Sequence, residues 1–440
     1  MTLDERLKNV TVLGAGGKMG SGISLLLAQE MTIQQLKNAN ESYALNLIDV
    51  NPEALTGLQN YLKAQTKKYA AKNFDSLSQF FPDQNEEAVA NKFVEKMISI
   101  INPSTEIQTA ADSLVIFEAI IENVDLKVSV LKQLKKICSE TTYFFSNTSS
   151  VPIKRLAENA GIEERIIGYH FYNPPAVQKL VELIIPENVE NELKNQSYEL
   201  GKRLRKIIIP ANDVAGFIGN GHFTRDGLHA IAQVEKLQND FSHVQAVYVM
   251  NKLSQEFLIR PMGIFQLIDY VGLDVFQSIL KIMNPYFKDE QLQSELIDQM
   301  VENDVKGGQF PDGSQKDGFL KYENHKPAGV YDLKKNEYVL YSDASWKADA
   351  DKIIGDLPEG YASWKDLVKD PDRATKLNTY FAKLRSMNTL GATLAQEYLK
   401  KSKEIGKKLI ADDVANSADD VNGVLMNGFF HLYGPINDFI

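Results

Sequence analysis

The chain has 440 residues, 44% hydrophobic and 24% charged, a balance ordinary for a soluble globular protein with two or three domains. Its net charge of −10 argues against nucleic acid as a partner, which usually demands a basic patch. No run approaches the ~18 apolar residues of a membrane span, and the single cysteine, Cys138, excludes an internal disulfide framework.

The six histidines, at 170, 222, 229, 243, 325 and 431, form no HExxH pair, so no metal site is expected. The opening Met1-Thr2-Leu3-Asp4-Glu5-Arg6 lacks a basic region followed by an apolar core. With one thiol as well, the expected compartment is cytoplasmic.

Val10-Thr11-Val12-Leu13 is a β-branched run that predicts a first strand ending at Gly14. Gly14-Ala15-Gly16-Gly17-Lys18-Met19-Gly20 follows, then a helix from about Gly20 to Gln29. Glycines there allow a tight turn and close approach of the backbone to a pyrophosphate, which rests on the positive helix end. The loop reads GxGxxxG, one residue longer than GxGxxG, so its phosphate geometry is expected to differ slightly. Ala44-Leu45-Asn46-Leu47-Ile48-Asp49 predicts a second, buried strand ending on an acid. Asp49 in that place would hydrogen-bond both ribose hydroxyls and repel a 2′-phosphate, favouring NAD over NADP. It lies 35 residues after Gly14, against ~20 in the usual pattern; an extension of the first helix and its loop, around Met31 to Ser42, fits the surplus. The blander alternative is a glycine-rich turn and a surface aspartate, and the strand–helix–strand context weighs against it.

Asn51-Pro52-Glu53 opens a lysine-rich helical stretch to about Lys72, with proline at the first helical position. Leu114 to Glu118 and Tyr143-Phe144-Phe145 are further strand candidates. Strands alternating with helices imply a parallel sheet covered on both faces. The expected fold class is α/β: a Rossmann-type doubly wound sheet over 1–210, then an all-α C-terminal part in two repeats, 211–325 and 346–440, joined by a hairpin over 326–345.

From Asp213 to about Met300 the pattern is helical, and Lys306 to Gly318 is a loop rich in glycine and charge. Val330-Tyr331-Asp332-Leu333 and Glu337-Tyr338-Val339-Leu340-Tyr341 flank Lys334-Lys335-Asn336 as a hairpin, and helix resumes from about Trp346. A faint repeat supports the two copies. Val247-Tyr248-Val249-Met250-Asn251, with Gly263-Ile264-Phe265, is echoed by Val424-Leu425-Met426-Asn427-Gly428, with Gly434-Pro435-Ile436. On these residues alone, chance and duplication stand about equal.

The chemistry-bearing stretch is Asn147-Thr148-Ser149-Ser150, then Ile166 to Pro174, then Lys179-Leu180-Val181-Glu182. A hydroxyl, an imidazole and a carboxylate are spaced across short apolar runs, which suits removal of a proton and a hydride from an alcohol. Imidazole, with an ordinary pKa of ~6.5, accepts a hydroxyl proton near neutral pH, so His170 is the candidate general base. Glu182, twelve residues on across the turn Asn173-Pro174-Pro175, is placed to receive the second imidazole N–H and stabilise the imidazolium. A lone histidine in a mixed segment is more often structural. A serine before Val151-Pro152 can equally be a helix cap, a task open to Ser149, Ser150 or Thr148.

These blocks resemble the L-3-hydroxyacyl-CoA dehydrogenase family. The resemblance is carried by Gly14 to Gly22, by Glu118-Ala119-Ile120-Ile121-Glu122-Asn123-Val124-Asp125-Leu126-Lys127, and by Ser146 to Ser150 with His170-Phe171-Tyr172-Asn173-Pro174 and Lys179 to Glu182. Asp213 to Asn220, Arg260 to Phe265 and Asp269 to Asp274 extend it. It implies NAD-dependent oxidation of (3S)-3-hydroxyacyl-CoA to 3-oxoacyl-CoA, with His170 taking the hydroxyl proton and Glu182 orienting it. It also implies that Ser149 bonds the substrate oxygen and that Asn220 polarises the substrate carbonyl. Gly14, Gly16, Gly17, Lys18, Met19, Gly20, Asp49, Glu122, Lys127, Asn147 and Asn173 would meet the cofactor. Glu122 and Lys127 also read as solvated helix-end charges. Lys72 is a coenzyme A candidate within the run Lys67-Lys68 to Lys72, otherwise a solvated face.

Two departures stand out. Gly221-His222 replaces an arginine-containing sequence, which bears on the support of Asn220, and a further family lysine has only Lys316, out of register, as its nearest counterpart. In the family the helical domain forms a dimer interface and some members carry a second copy of it, so a homodimer and a pseudo-dimeric monomer are both open. A separate enoyl-CoA hydratase is a candidate partner. Two rival readings are dehydrogenation of a non-CoA substrate such as L-gulonate or carnitine, and a catalytically idle NAD-binding protein like the related lens crystallin. Intact Ser149, His170, Glu182 and Asn220 speak against the second.

Overall fold

Val10, Val12, Leu45 and Leu47 are fully buried on two neighbouring strands, and the N-terminal unit is built outward from them. The computed structural model describes residues 1–310, 313–343 and 345–440, which divide into two units, Met1–Val214 and Ala215–Ile440. The strands of the first are β1 (Asn9–Leu13), β2 (Ala44–Ile48), β3 (Ile101–Ser104), β4 (Val115–Glu118), β5 (Tyr143–Ser146), β6 (Ile166–Phe171), β7 (Leu180–Ile184) and β8 (Ile207–Ala211). They form one sheet in the order β3-β2-β1-β4-β5-β6-β7-β8.

The expected parallel sheet holds at every pairing except β6 with β7, which is antiparallel. Chain length dictates the exception: eight residues separate these strands, too few for a parallel crossover, which needs a dozen or more. The strands expected from the sequence are β1, β2, β4 and β5; β3, β6, β7 and β8 are additional, and Pro103 of β3 is tolerated because that strand lies at the sheet edge.

The longer helices of this unit are α1 (Lys18–Lys37), α2 (Pro52–Lys72), α3 (Glu86–Ile100), α4 (Val124–Ile137), α5 (Ile153–Ala160) and α6 (Asn191–Arg203), beside shorter turns of helix such as Leu3–Arg6 and Phe74–Leu77. The first runs well past Gln29, and its extra turns account for the distance between Gly14 and Asp49. As expected, the second starts on Pro52, where Asn51 Oδ1 accepts the amides of Glu53 and Ala54.

The second unit contains α7 (Phe217–Leu237), α8 (His243–Lys252), α9 (Ile264–Val271), α10 (Leu390–Ala411) and α11 (Ala418–Gly428), with further helices between. It also holds a three-stranded antiparallel sheet of β9 (Leu320–Glu323), β10 (Lys326–Asp332) and β11 (Glu337–Leu340). The expected hairpin is β10–β11. The added strand, β9, joins through Asn324 and His325, both with positive φ, a turn whose usual Asn-Gly signal is absent.

The internal echo has a structural counterpart in a different register. A Cβ on Gly263 would stand 2.2 Å from Asn251 Oδ1, and one on Gly434 would stand 2.1 Å from Asn422 Oδ1. Each amide oxygen also accepts a backbone N–H beyond its glycine, from Gln266 and from Ile436, both at 3.0 Å. The similar contact is thus made by Asn422 and not by Asn427, which the sequence echo pairs with Asn251. Among the described residues no helix is long and apolar enough to cross a membrane.

Candidate active site

The antiparallel pairing of β6 with β7 sets His170 directly opposite Glu182. Opposed residues on adjacent strands project from the same face within contact distance. His170 Nδ1 lies 2.9 Å from Glu182 Oε2, and both side chains are buried. An ionised carboxylate only accepts, so the hydrogen-bond network assigns the proton to Nδ1 and leaves Nε2 to receive another. Tyr172, two residues further along the same face, donates its hydroxyl to the same carboxylate oxygen at 2.9 Å. Burial, and then the Glu182 charge, push that phenol far above its ordinary pKa, so it remains a donor. Sequence reasoning quoted Tyr172 only as part of a motif; its spacing of two from His170 was the available signal.

Beside this pair the loop after β5 is held by buried charge. Lys127 Nζ sits 2.7 Å from Glu118 Oε1 and 3.2 Å from Glu122 Oε2, and Lys127 and Glu118 are each 1% exposed. That burial disposes of the solvated helix-end reading of Lys127. Glu122 Oε1 accepts the Thr148 hydroxyl at 2.6 Å and the amides of Ser149 and Ser150 at 2.9 and 3.2 Å. Burial alone would favour a neutral Glu122, yet Lys127 and these donors hold its carboxyl below the usual range. For Lys127 burial opposes the charge, and Glu118 with Glu122 overcomes it, raising the ammonium above its ordinary value.

Glu118, absent from the sequence-derived site, also accepts the Ser146 hydroxyl at 2.7 Å and so ties β4, β5 and α4 together. Its signal was an acid closing an otherwise apolar buried strand. Asn147 completes the tie, donating its amide to Glu118 O and accepting Phe171 N at Oδ1, both at 2.8 Å. None of the three candidate hydroxyls supplies the first amides of α5. Asp213 does, accepting from Ile153 N and Lys154 N at 2.6 Å each. Thr148 Oγ1 instead accepts the amide of Val151 at 3.1 Å.

At the glycine loop, Gly14 has a φ of +71°, and a Cβ there would stand 2.5 Å from Ala119 O. Gly17 is the N-cap of α1, and its amide bonds Gly14 O at 3.0 Å, so Lys18 opens the helix, exposed, with Met19 half-buried behind it. A Cβ on Gly20 would lie 2.0 Å from Gly14 O, so Gly20 is the glycine that lets helix meet strand. The extra residue is thus taken up before the first turn of α1. Asp49 Oδ2 accepts the amide of Gly16 at 2.9 Å, which holds the acid against the loop. The start of α1, opening at Gly17 and Lys18 beside Asp49, is the kind of helix end on which a dinucleotide pyrophosphate rests.

Lys72 is exposed in the last turn of α2, and Asn173 is half-buried in the turn after β6. Asn220 belongs to the second unit and stands inside α7, so it is not a helix cap. The Gly221-His222 departure is accommodated within that unit. A Cβ on Gly221 would crowd Leu409 Cδ2 at 2.9 Å, and His222 Nε2 lies 3.1 Å from Ser402 Oγ, both partners on α10. Lys316 stands 5.3 Å over the Phe310 ring, also in the second unit. Among the described residues no cluster of His, Cys, Asp and Glu could hold a metal ion.

Comparison with known proteins matches both units. The family model described as 3-hydroxyacyl-CoA dehydrogenase, NAD binding domain, covers residues 9–214, and that described as 3-hydroxyacyl-CoA dehydrogenase, C-terminal domain, covers 216–322. The chain is 30% identical over 298 residues to the mitochondrial hydroxyacyl-coenzyme A dehydrogenase of Sus scrofa, spanning 66% of this chain and 86% of that protein. It is 27% identical over 365 residues to a glyoxysomal fatty acid beta-oxidation multifunctional protein of Cucumis sativus, 83% of this chain and 44% of that one. The solved 3-hydroxybutyryl-CoA dehydrogenase of Escherichia coli shares the fold at a TM-score of 0.65 and 19% identity, over 98% of this chain and 90% of that one. With NAD as its cofactor, the chain belongs to the 3-hydroxyacyl-CoA dehydrogenase family.

Proposed function

We propose that the chain oxidises (3S)-3-hydroxyacyl-CoA to 3-oxoacyl-CoA, in fatty acid β-oxidation or short-chain acyl-CoA metabolism, with His170 as the general base. The buried pair of His170 with Glu182 at 2.9 Å carries this reading. NAD held on the glycine loop supplies the acceptor for the hydride that leaves C3. His170 Nε2 takes the hydroxyl proton as that bond breaks, while Glu182 keeps Nδ1–H and stabilises the imidazolium without receiving its proton. Ser149, its amide fixed by Glu122, serves as the hydroxyl that steadies the substrate oxygen. Asn220 serves as the amide that polarises the thioester carbonyl, and Asp49 bonds the ribose. Lys72 is offered to coenzyme A on its charge and exposure alone.

The second helical pair, α10 with α11, is read as a divergent copy of α7 with α8. The matched Asn251–Gly263 and Asn422–Gly434 contacts support that reading. A separate enoyl-CoA hydratase is the fitting partner, since hydration of a 2-enoyl thioester makes the C3 hydroxyl consumed here.

The test is NADH oxidation with acetoacetyl-CoA, beside NADPH and a longer 3-oxoacyl-CoA, for the wild type and H170Q. Turnover with NADH is expected, and H170Q should abolish it while leaving NADH binding nearly intact. A variant that keeps most activity overturns the base assignment. Bound NADH without turnover of either thioester would move the reading to a non-CoA alcohol.

A further inference from the structure

Two donors meet on one oxygen of Glu182: His170 Nδ1 at 2.9 Å and the Tyr172 hydroxyl at 2.9 Å. We infer that Tyr172 is a positioning residue that sets the basicity of His170 by taking a share of the Glu182 charge through this common oxygen. The inference rests on the reading of His170 as the base.

Glu182 is 0% exposed, so the protein groups around it govern its charge. A hydrogen bond to an ionised acceptor is strong, and inside a protein each added donor polarises the others on the same group. The imidazolium formed when His170 takes a proton depends on that carboxylate charge. A phenol already donating to Oε2 leaves less of it for the imidazolium, so His170 holds its proton less tightly. The Tyr172 ring lies 4.8 Å from the imidazole, centroid to centroid, at 38°, which fixes the direction of its hydroxyl. A phenylalanine would keep this ring contact and lose only the hydroxyl, so the two roles of the side chain separate cleanly.

Several charged groups on the elements packed around β6 are held elsewhere; Asp213, whose carboxyl burial raises, accepts the Ile153 and Lys154 amides at the start of α5 at 2.6 Å each. Glu122 holds the 148–150 loop through Oε1 and faces Lys127 through Oε2. Lys154 and Glu158 on α5 pair with each other at 3.9 Å on the exposed side of that helix. Lys206, preceding β8, donates to Pro175 O and Gln178 O at 2.5 and 2.6 Å, and burial lowers its ammonium to about 8. Because Lys206 titrates on the alkaline side, the informative limb is the acid one.

The experiment is Y172F in the full chain, read two ways. Nitrogen-15 NMR of the histidine side chains, with His170 assigned by its absence in H170Q, reports the imidazole titration without turnover. The acid limb of kcat/KM for 3-hydroxybutyryl-CoA oxidation reports it through the reaction. Both should move up by about half a pH unit in Y172F, because the charge released on Oε2 favours the imidazolium. Site-specific 3-fluorotyrosine at position 172, a stronger donor with the same shape, should move both down. A His170 titration unmoved in a folded Y172F, or moved the same way by both replacements, overturns the inference. If Y172F fails to fold, the fluorotyrosine protein decides alone by the direction of its shift. Turnover retained by H170Q would sink the base reading instead, and the NMR titration would still decide whether Tyr172 tunes the imidazole.

Discussion

Lys127 shows how much a single residue's setting decides. In the sequence it stands five residues from Glu122, a spacing equally compatible with a cofactor contact and with a solvated charge. Placed in the first turn of α4, it is carried inward between two carboxylates. Removing one partner of a buried pair leaves an uncompensated charge behind, which costs about 3–5 kcal/mol. K127M should therefore lower stability by about that much in urea unfolding at neutral pH, and it should free the loop from Ser146 to Ser150. The effect has a pH signature. Glu122 has a lowered folded-state pKa, so its contribution is present above the ordinary carboxylate range and is lost as pH falls through the lowered value. K127M removes the main cause of that lowering and should flatten the acid side of the stability profile. A variant as stable as the wild type, with an unchanged acid profile, would mean that Lys127 is not the counter-charge of this loop. What the sequence could not convey here was burial, because residue types and spacing are identical for a buried and a solvated pair.

Among the elements, the β1–α1 junction is the most tightly specified. The glycine pattern was legible as a dinucleotide loop despite its extra residue, and the structure shows why the addition is tolerated. Gly17 takes the N-cap, while Gly20 keeps the close approach to Gly14 O. Alanine at Gly20 would put a methyl 2.0 Å from that oxygen, a distance no relaxation of a flexible side chain can relieve. G20A should displace α1 from β1 and weaken NADH binding by at least about tenfold, since the helix start is the pyrophosphate seat. Fluorescence titration with NADH measures this, and wild-type affinity in G20A would show that the helix start is not the seat. Other elements were legible only in part. The helix extension behind Asp49 followed from counting residues, and Pro52 opening α2 from proline's preference for the first helical position. The turn at Asn173-Pro174-Pro175 that carries Glu182 back to His170 was legible as well, but the antiparallel pairing of β6 with β7 that it produces was not, because alternating strands and helices suggested a parallel sheet throughout. Asp213 capping α5 was equally hidden, because that contact joins residues 59 and 60 positions apart.

At the scale of the whole molecule, the second unit bears on assembly. The resemblance left a homodimer and a pseudo-dimeric monomer open, and the packing of α7 favours the second. In this chain α7 is covered by α10. Leu409 closes over Gly221, Ser402 meets His222, and Tyr398 donates to Asp226 Oδ2 at 3.0 Å. Arg260 binds the same Asp226 oxygen at 2.6 Å and reaches Ser402 at 3.4 Å, so one buried ion pair pins α7, α10 and the segment before Gly263 together. Burial opposes the charge of Asp226, but Arg260 outweighs it and holds the carboxyl down to about 2, so the pair stays ionised through neutral pH. A face already occupied by the chain's own helix is not available to a second copy without breaking these contacts, and breaking such a pair is expensive. The expected species at micromolar concentration is therefore a monomer of 49.4 kDa in sedimentation equilibrium. A species of twice that mass would mean that dimerisation uses a face other than the covered one. Loss of the monomer's fold in R260M, with no dimer gained, would show that the internal joint serves stability and has no bearing on assembly.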